Sequence, residues 1–306
     1  MSDREVRIYE VGPRDGLQAE RALLATDAKL RFIELLEAAG LRAIEATSFV
    51  SPKAIPQLAD ADDLMRRLPR ASGVRYPVLV PNERGMQRAL DASVEAICLF
   101  TAATESYAWH NINMGIDESL AAFAPVAASA RLRDMWIRGY VSTAFGCPYE
   151  GEVGEAAVVD VSQRLLELGV DELGISDTVG VATPSDVRRV LGALLGAGVD
   201  TTKLACHFHD TRGTALANVI AAMELGIRCF DASAGGIGGS PYAPGAAGNL
   251  ATEDLVYLLD REGMVHGVDL DRILDAARFV NEQLHRSTSS KVGHAGGWPR
   301  SARMQP

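Results

Sequence analysis

Short apolar runs recur along the chain, and segments with helical periodicity separate them. A run of four to eight apolar residues bounded by polar or turn-forming residues is typical of a buried strand, whereas apolar positions three and four apart are typical of an amphipathic helix. The pattern predicts eight strands. They cover residues 6–11, 43–48, 75–80, 96–100, 136–142, 172–176, 204–209 and 228–233.

Helical patterns fill the intervals between these strands. In the first, Leu30, Ile33 and Leu36 repeat at helical spacing, so we expect a helix that Thr26 caps and Gly40 ends. Further helices are predicted at 83–91, 117–133, 155–168, 184–195 and 215–225, and two more follow the last strand at 251–261 and 270–284.

Strands that alternate with helices of this length indicate an α/β protein with a parallel sheet, and eight such units predict closure into a (β/α)8 TIM barrel. An open doubly wound sheet is the alternative, but Gly12 and Gly16 match its glycine-rich GxGxxG turn poorly. We expect one domain over 1–306, with the barrel at about 6–235, a glycine-rich active-site loop at 235–249 and extra C-terminal helices at 250–285. Those helices would cap the barrel or build the contact of a homo-oligomer.

The composition narrows the classes of partner. The chain has 306 residues, of which 47% are hydrophobic and 23% charged, as in an ordinary globular protein. A net charge of -10 argues against nucleic acid or an anionic membrane as a partner, because both require clustered Lys and Arg. The four cysteines have no short paired spacing, and no run approaches the roughly 18 apolar residues of a membrane span. We therefore expect a cytoplasmic protein in a reducing compartment.

The segment Leu204–Asp210 carries the strongest chemical signal. Side chains alternate along a strand, so His207 and His209 point from the same face. A single histidine here would most simply be a hydrogen-bonded core residue, but two on one face favour half of a metal site. Asp210, Thr211 and Gly213 then lead into the next helix, as in a loop at the carboxyl end of a barrel strand, where active sites lie.

Polar residues follow other predicted strands and would converge on the same barrel mouth. Two imidazoles with a carboxylate and an amide oxygen form a hard, mixed donor set that suits Mg²⁺ or Mn²⁺ and is also compatible with zinc. Arg14 adds a planar cationic fork for an oxyanion, unless it only pairs with Asp15 in a loop. The polar residues at these strand ends are Arg14, Asp15, Glu45, Thr47, Ser48, Asp177 and Asn249.

A glycine-rich run, Gly235–Gly245, directly follows the last predicted strand. Glycine lets backbone approach a ligand closely and permits positive φ angles. We expect a mobile active-site loop rather than a merely flexible connection, because of its place after the last barrel strand.

Taken together, these motifs resemble those of 3-hydroxy-3-methylglutaryl-CoA lyase, a metal-dependent barrel lyase with a pyruvate-carboxyltransferase-like domain. The resemblance covers nearly the whole chain, through Thr288-Ser289-Ser290-Lys291. The other segments that carry it are Val11-Gly12-Pro13-Arg14-Asp15-Gly16-Leu17-Gln18, Ile44-Glu45-Ala46-Thr47-Ser48-Phe49-Val50-Ser51-Pro52-Lys53, Gly139-Tyr140-Val141-Ser142, Gly146-Cys147-Pro148-Tyr149-Glu150-Gly151, His207-Phe208-His209-Asp210-Thr211 and Gly248-Asn249-Leu250-Ala251-Thr252-Glu253-Asp254.

The resemblance implies a role for each matching residue. Arg14 would stabilise the oxygen of a developing enolate, Glu45 would organise Arg14, and His207 would also serve in catalysis. The divalent cation, Mg²⁺ or Mn²⁺, would be bound by Asp15, His207, His209 and Asn249. The residues that we expect to contact the acyl-CoA substrate are Ser48, Tyr140, Asp177, Arg212 and Lys291.

The chain departs from the family pattern at three places. The family's catalytic cysteine before Pro-Tyr-Ala is Ser240 here, and an alkanol is a far weaker acid than a thiol of pKa about 8.5. Trp109-His110 replaces a basic residue before Asn-Ile-Asn, and Arg212 replaces a tyrosine. Three changes around one mouth indicate an altered substrate, while the retained metal set argues that the bond-breaking chemistry survives.

The sequence thus predicts a divalent-metal lyase that cleaves a 3-hydroxyacyl-CoA. For 3-hydroxy-3-methylglutaryl-CoA the products would be acetyl-CoA and acetoacetate. For a related substrate such as citramalyl-CoA they would be acetyl-CoA and pyruvate, and Arg212 would pair with its carboxylate. A Claisen-condensing synthase is less favoured because its relatives lack the Pro-Tyr-Ala loop, and a binding protein without catalysis is suggested only by Ser240.

Overall fold

A computed structural model describes residues 4–71, 73–239 and 247–297. Strands and helices alternate along this part of the chain. The strands are β1 (Arg7–Glu10), β2 (Thr47–Ser48), β3 (Val78–Leu79), β4 (Ala96–Ala102), β5 (Trp136–Ser142), β6 (Glu172–Asp177), β7 (Leu204–Phe208) and β8 (Cys229–Ala232). The helices are α1 (Thr26–Ala38), α2 (Ala61–Arg67), α3 (Glu83–Asp91), α4 (Glu105–Ile112), α5 (Ile116–Arg131), α6 (Glu155–Glu167), α7 (Pro184–Gly196), α8 (Ala215–Glu224), α9 (Thr252–Arg261), α10 (Leu270–Gln283) and α11 (Lys291–Ala295).

The eight strands form one parallel sheet in the order β1-β8-β7-β6-β5-β4-β3-β2. The two ends of this order also meet: the Glu10 N–H donates to the Ala43 carbonyl at 2.9 Å, and the Glu45 N–H donates to the Glu10 carbonyl at 2.8 Å. The sheet is therefore a closed ring. The predicted (β/α)8 barrel is confirmed, and the open doubly wound alternative is wrong.

Several predicted boundaries differ from the structure. Thr26 is the first residue of α1 rather than its cap, and its hydroxyl donates to Asp60 Oδ2 at 2.8 Å. β2 and β3 keep only two ladder residues each. Helices α2, α4 and α11 were not predicted, because five to eight residues are too few to display a clear helical period.

Most of the apolar core lies between the barrel and its helices. On α1, Phe32, Ile33 and Leu36 are completely buried against it. Burial of each such side chain stabilises the fold by about 1.5 to 3 kcal/mol. The last helix of the outer ring is α10, which packs against α1, so the C-terminal helices complete the barrel's shell. Within the described ranges, no helix has the length and apolar character needed to cross a bilayer.

The inside of the barrel is polar at its centre. Arg138 of β5 is fully buried, and its guanidinium carbon lies 3.9 Å from the centre of the Tyr9 ring. Gly174 of the neighbouring strand leaves room for Tyr140, since a Cβ there would lie 2.6 Å from Tyr140 Cδ1. This space lets Tyr140 point along the barrel interior towards the carboxyl ends of the strands.

Glu10 fastens the carboxyl end of β1 to the segments that follow β8. Its Oε1 accepts from the N–H groups of Gly12 and Ala234, both at 2.9 Å, and its Oε2 accepts from the Thr252 hydroxyl at 2.7 Å. Burial raises the pKa of Glu10 to about 7, although these hydrogen bonds oppose the rise. The carboxyl group therefore holds its proton more tightly in the folded than in the unfolded chain.

The proton on Glu10 makes stability depend on pH. Because the folded-state pKa is raised, this residue's contribution to the free energy of unfolding falls as pH rises from about 4.5 to 7. Glu10→Gln keeps the shape and the acceptor oxygen but cannot ionise. We expect the wild type to lose about 2 to 3 kcal/mol relative to Glu10→Gln between pH 5 and pH 8. Urea denaturation of both proteins at the two pH values measures this, and a pH-independent difference would contradict it.

Candidate active site

The carboxyl ends of β1 and β7 bring three potential metal ligands together. One ligand atom each of Asp15, His207 and His209 lies within 4.8 Å of the other two. Asp15 belongs to a turn of π-helix, Gly12–Gly16, in which the carbonyl of Val11 accepts from successive backbone N–H groups. His207 is in β7, and His209 comes directly after it, as the alternation of side chains predicted.

Asn249 joins this group from the far side of the glycine-rich loop. Its Nδ2 donates to Asp15 Oδ2 at 2.9 Å, and its backbone forms a bridge with His209. The bridge is fixed because the Leu250 N–H donates to Phe208 and the Asp210 N–H donates to Gly248. All four predicted metal-binding residues therefore lie together.

The protonation states of these groups suit a cation. Burial would raise the pKa of Asp15, but Arg14, His207 and His209 lower it to about 2. Burial and the neighbouring His207 lower the pKa of His209 to about 4. At neutral pH the site thus presents a carboxylate and a neutral imidazole, which are the forms that bind metal ions.

Two buried polar atoms support the same interpretation. Nδ1 of His209 and Oδ1 of Asn249 are inaccessible to solvent and have no hydrogen-bond partner among the described residues. An unsatisfied buried group costs about 1 to 3 kcal/mol. A divalent cation among these nitrogen and oxygen donors would remove that cost, so the residues fit Mg²⁺ or Mn²⁺, and the same set is compatible with zinc.

A buried carboxylate holds His207 in position. Nδ1 of His207 lies 3.1 Å from Asp231 Oδ2, and Asp231 Oδ1 accepts from Arg138 Nη2 at 2.6 Å. Burial lowers the pKa of His207, but the bond to Asp231 and its charge raise it overall. Nε2 then lies 4.0 Å from Asp15 Oδ2. With Nδ1 bonded to Asp231, a His207 that ligates a cation through Nε2 has no nitrogen left to shuttle a proton.

Arg14 is fixed beside the cation site by two carboxylates. Its Nε donates to Glu45 Oε1 at 2.5 Å, and its Nη1 donates to Asp15 Oδ1 at 2.7 Å. The Tyr140 hydroxyl donates to Glu45 Oε2 at 2.6 Å. Nη2 of Arg14 donates to no described residue. The ion pair with Asp15 exists, but it belongs to a larger buried network that leaves Nη2 without a described acceptor.

Two of the predicted substrate-binding residues hold the loop after β6. The oxygens of Asp177 accept from the N–H groups of Val181 and Ala182 at 3.0 and 3.1 Å. Nη1 of Arg212 donates to the carbonyls of Val179 and Gly180 at 2.9 and 2.8 Å. The contact of Asp177 and Arg212 with substrate stays a prediction. Arg212 would have to bind substrate through the N–H groups that do not donate to this loop.

The other substrate candidates differ in exposure. Ser48 is buried and its hydroxyl donates to the Leu79 carbonyl at 3.3 Å, whereas Lys291 is exposed at the start of α11. Ser240, predicted as a catalytic residue, lies outside the described residues. Trp109, 49% exposed, is on α4, which follows β4 at the same end of the barrel as the site.

Asp231 and Arg138 were not predicted as site residues. Both are charged residues within predicted buried strands, and a charge there requires a buried partner, which is the signal that was available. The hydrogen bonds that hold the start of the glycine-rich loop were not predicted either. Glu253 accepts from the Gly235 N–H at 3.0 Å, and the Ser289 hydroxyl donates to the Gly236 carbonyl at 3.1 Å, so the start of the loop is anchored.

Known proteins are similar to this chain over most of its length. A model of the family described as HMGL-like matches residues 5–280. Hydroxymethylglutaryl-CoA lyase, mitochondrial, of Bos taurus is 46% identical over 292 residues, which cover 95% of this chain and 90% of that protein. The 3-hydroxy-3-methylglutaryl-CoA lyase, cytoplasmic, of Rattus norvegicus is 46% identical over 95% of this chain and 84% of its own length.

Solved structures of HMG-CoA lyases are also similar to this chain. The HMG-CoA lyase of Bacillus subtilis has a TM-score of 0.93 at 45% identity, over 95% of this chain and 98% of that one. An HMG-CoA lyase of Acinetobacter baumannii in complex with coenzyme A and 3-methylmalate has a TM-score of 0.92 at 37% identity, over 100% and 99% of the two chains. The carboxyl transferase domain of Rhizobium etli pyruvate carboxylase, at 16% identity and a TM-score of 0.71 over 95% of this chain and 51% of that one, shares the fold.

The clustered donors predict the effect of removing one imidazole. His209→Ala should weaken Mn²⁺ binding at least about tenfold, because a small site loses one of its few donors, while the far-ultraviolet circular dichroism spectrum stays that of the barrel. Electron paramagnetic resonance titration of free Mn²⁺ measures the affinity. His285→Asn is the matched control, since it removes an exposed imidazole at a φ of 52° that asparagine tolerates. Unchanged Mn²⁺ binding in His209→Ala would refute the ligand assignment.

Proposed function

The chain belongs to the HMGL-like family, and we propose that it is a divalent-metal-dependent lyase that cleaves a carbon–carbon bond of a 3-hydroxyacyl-CoA. The observation that carries the proposal is the cluster of Asp15, His207 and His209 with Arg14 fixed beside it. The first substrate proposed is 3-hydroxy-3-methylglutaryl-CoA, which the relatives' names contain and which would yield acetyl-CoA and acetoacetate.

The cation would be Mg²⁺ or Mn²⁺, held by Asp15, His207, His209 and Asn249. A bound divalent cation supplies a Lewis acid that lowers the pKa of a substrate hydroxyl. Asp231 orients His207 for this role, and the backbone bridge to His209 does the same for Asn249. Carboxylates that orient ligating imidazoles in this way contribute about 10- to 100-fold to metal affinity in other sites.

Arg14 is the residue proposed to stabilise the product enolate. Once the substrate hydroxyl has lost its proton to a base, its oxygen becomes the carbonyl of the ketone product as the carbon–carbon bond breaks. The electron pair of that bond passes to the acetyl-CoA fragment, and negative charge gathers on the thioester oxygen. Glu45 and Asp15 hold the guanidinium before the reaction, so it need not reorganise as that charge develops. Tyr140 positions Glu45 through the hydrogen bond of its hydroxyl group. The predicted contact of Tyr140 with substrate would be additional to that hydrogen bond.

The enolate must then take up a proton at carbon. The residues around this step bear on which acyl-CoA is the native substrate. The family's thiol is Ser240 in this chain, a much weaker acid. Trp109-His110 and Arg212 differ from the family pattern around the same mouth. A structurally similar lyase holds coenzyme A together with 3-methylmalate. The acyl part of citramalyl-CoA is also a methyl-substituted malate. These observations favour citramalyl-CoA, cleaved to acetyl-CoA and pyruvate, as the second candidate.

The assembly and location are also proposals. We propose a cytoplasmic homo-oligomer, a dimer or larger, that acts on acyl-CoA and binds neither nucleic acid nor membrane. The negative net charge supports the last point, and one relative named cytoplasmic supports the location. Light scattering after size-exclusion chromatography would measure the number of subunits. The single domain over 1–306 stays a prediction.

A screen of 3-hydroxyacyl-CoA substrates tests the proposal. Purified protein with Mg²⁺ or Mn²⁺ should release acetyl-CoA from 3-hydroxy-3-methylglutaryl-CoA or citramalyl-CoA, and EDTA should abolish the release. Release of free CoA from acetyl-CoA mixed with a 2-oxo acid would identify a condensing synthase instead. No turnover of any substrate, with metal bound, would identify a binding protein.

Replacement of Arg14 separates charge from geometry. Arg14→Lys keeps the cation but loses the planar fork that meets Glu45, Asp15 and the enolate at once. We expect kcat to fall about 10²- to 10³-fold, as for loss of one donor to an oxyanion, with a much smaller change in KM. Arg84→Lys, on the exposed face of α3, is the matched control and should retain full kcat. If Arg14→Lys also retains full kcat, the guanidinium is only part of a loop ion pair.

Ser240→Cys distinguishes the two substrates. If citramalyl-CoA is native, restoring the family's thiol should leave 3-hydroxy-3-methylglutaryl-CoA cleavage poor, because Trp109, His110 and Arg212 still shape the mouth. A positioned acid contributes about 10²- to 10⁴-fold. A gain of tenfold or more in kcat with 3-hydroxy-3-methylglutaryl-CoA would therefore show that this is the parent substrate and that only the thiol was missing.

A further inference from the structure

A second cleft lies at the amino-terminal end of the barrel, opposite the candidate active site. Its volume is about 900 Å³, and its walls come from the start of β1 and from the segments that precede β2, β3, β4 and β5. Among the described residues, those that give it charge are Arg7, Arg42, Arg70, Arg75, Arg133, Glu95 and Asp134.

The cleft is cationic although the chain as a whole carries a net charge of -10. Arg7 is paired with Glu172, but in the described part of the chain no carboxylate lies within 4.0 Å of the other four arginines. Those with hydrogen bonds use neutral acceptors: Arg70 donates to the Ala92 carbonyl at 2.6 Å, and Arg133 donates to the Ser129 carbonyl at 2.8 Å. With five arginines against Glu95 and Asp134 in the walls and Glu172 on Arg7, the cleft keeps an excess of two positive charges.

Arg75 contacts an aromatic ring rather than a hydrogen-bond acceptor. Its guanidinium carbon lies 4.5 Å from the centre of the Trp136 ring, and no described residue accepts a hydrogen bond from its side chain. Burial and the charge of Arg7 lower its pKa, although Tyr9 and Asp171 oppose the decrease. Stacking on Trp136 fixes the guanidinium plane while its N–H donors stay available.

We propose that this cleft binds a small anion that carries at least two phosphoryl groups. Its volume is in the range of small-molecule sites, about 300 to 1,000 Å³. Guanidinium groups match phosphate oxygens with paired hydrogen bonds, and several from different segments would share one multiply charged ligand. Inorganic pyrophosphate and the diphosphate of a nucleotide share this chemistry.

Calorimetric titration with inorganic pyrophosphate and with ADP tests the proposal. The titrations use the purified protein at low ionic strength without added divalent cation, and they are repeated on His209→Ala to exclude binding at the barrel mouth. Arg75→Gln and Arg133→Gln should each weaken binding about 10- to 100-fold, because each removes a charged hydrogen bond. Arg84→Gln removes the same charge from α3 and should change the affinity less than about twofold. Arg133 is exposed, so its replacement leaves the core intact even if Arg75→Gln does not fold.

Tighter binding of ADP than of pyrophosphate would support the proposal and identify a nucleotide as the source of the phosphates. Equal affinities would support it with the diphosphate alone as the recognised group. The proposal is overturned if neither compound binds, if Arg75→Gln and Arg133→Gln bind as the wild type does, if Arg84→Gln weakens binding equally, or if His209→Ala abolishes it.

Discussion

The buried ion pair of Arg138 and Asp231 is the interaction on which the candidate site depends. Both side chains are almost fully enclosed by the barrel, at 0% and 2% exposure, with the rings of Tyr9 and Tyr140 against the guanidinium. Such a pair adds little net stability, because desolvation offsets much of the attraction, but removal of one partner costs about 3 to 5 kcal/mol. Its consequence is positional: Asp231 keeps an oxygen 3.1 Å from Nδ1 of His207 and so turns Nε2 towards Asp15.

Asp15 links the two halves of the chemistry at the barrel mouth. One oxygen accepts from Arg14 and the other from Asn249, so a single carboxylate contacts both the proposed enolate-stabilising group and the proposed metal ligands. A shift of the Gly12–Gly16 turn would therefore disturb both together. The Glu10 carboxyl group holds the turn by accepting a hydrogen bond from Gly12. It also accepts hydrogen bonds from the segment after β8 and from the start of α9.

The sequence predicted those features that arise from local periodicity. The strand alternation placed His207 and His209 on one face, and the repeat of eight units predicted the ring that brings Asp15 near them. The partners of these residues were harder to predict, because the bond of His207 to Asp231 joins residues 24 apart and that of Tyr140 to Glu45 joins residues 95 apart. Arg212 shows the same limit: its contact with a substrate carboxylate stays a prediction, and the hydrogen bonds of its Nη1 to the carbonyls of Val179 and Gly180 were not predicted.

Anomalous diffraction from crystals soaked in Mn²⁺ locates the cation without relying on turnover. We expect an anomalous peak at the manganese absorption edge among Asp15, His207 and His209, with Oδ1 of Asn249 turned towards it and Nδ1 of His207 still bonded to Asp231. A peak elsewhere, or no peak among these residues in crystals whose barrel mouth is open to solvent, would show that these residues do not form the metal site.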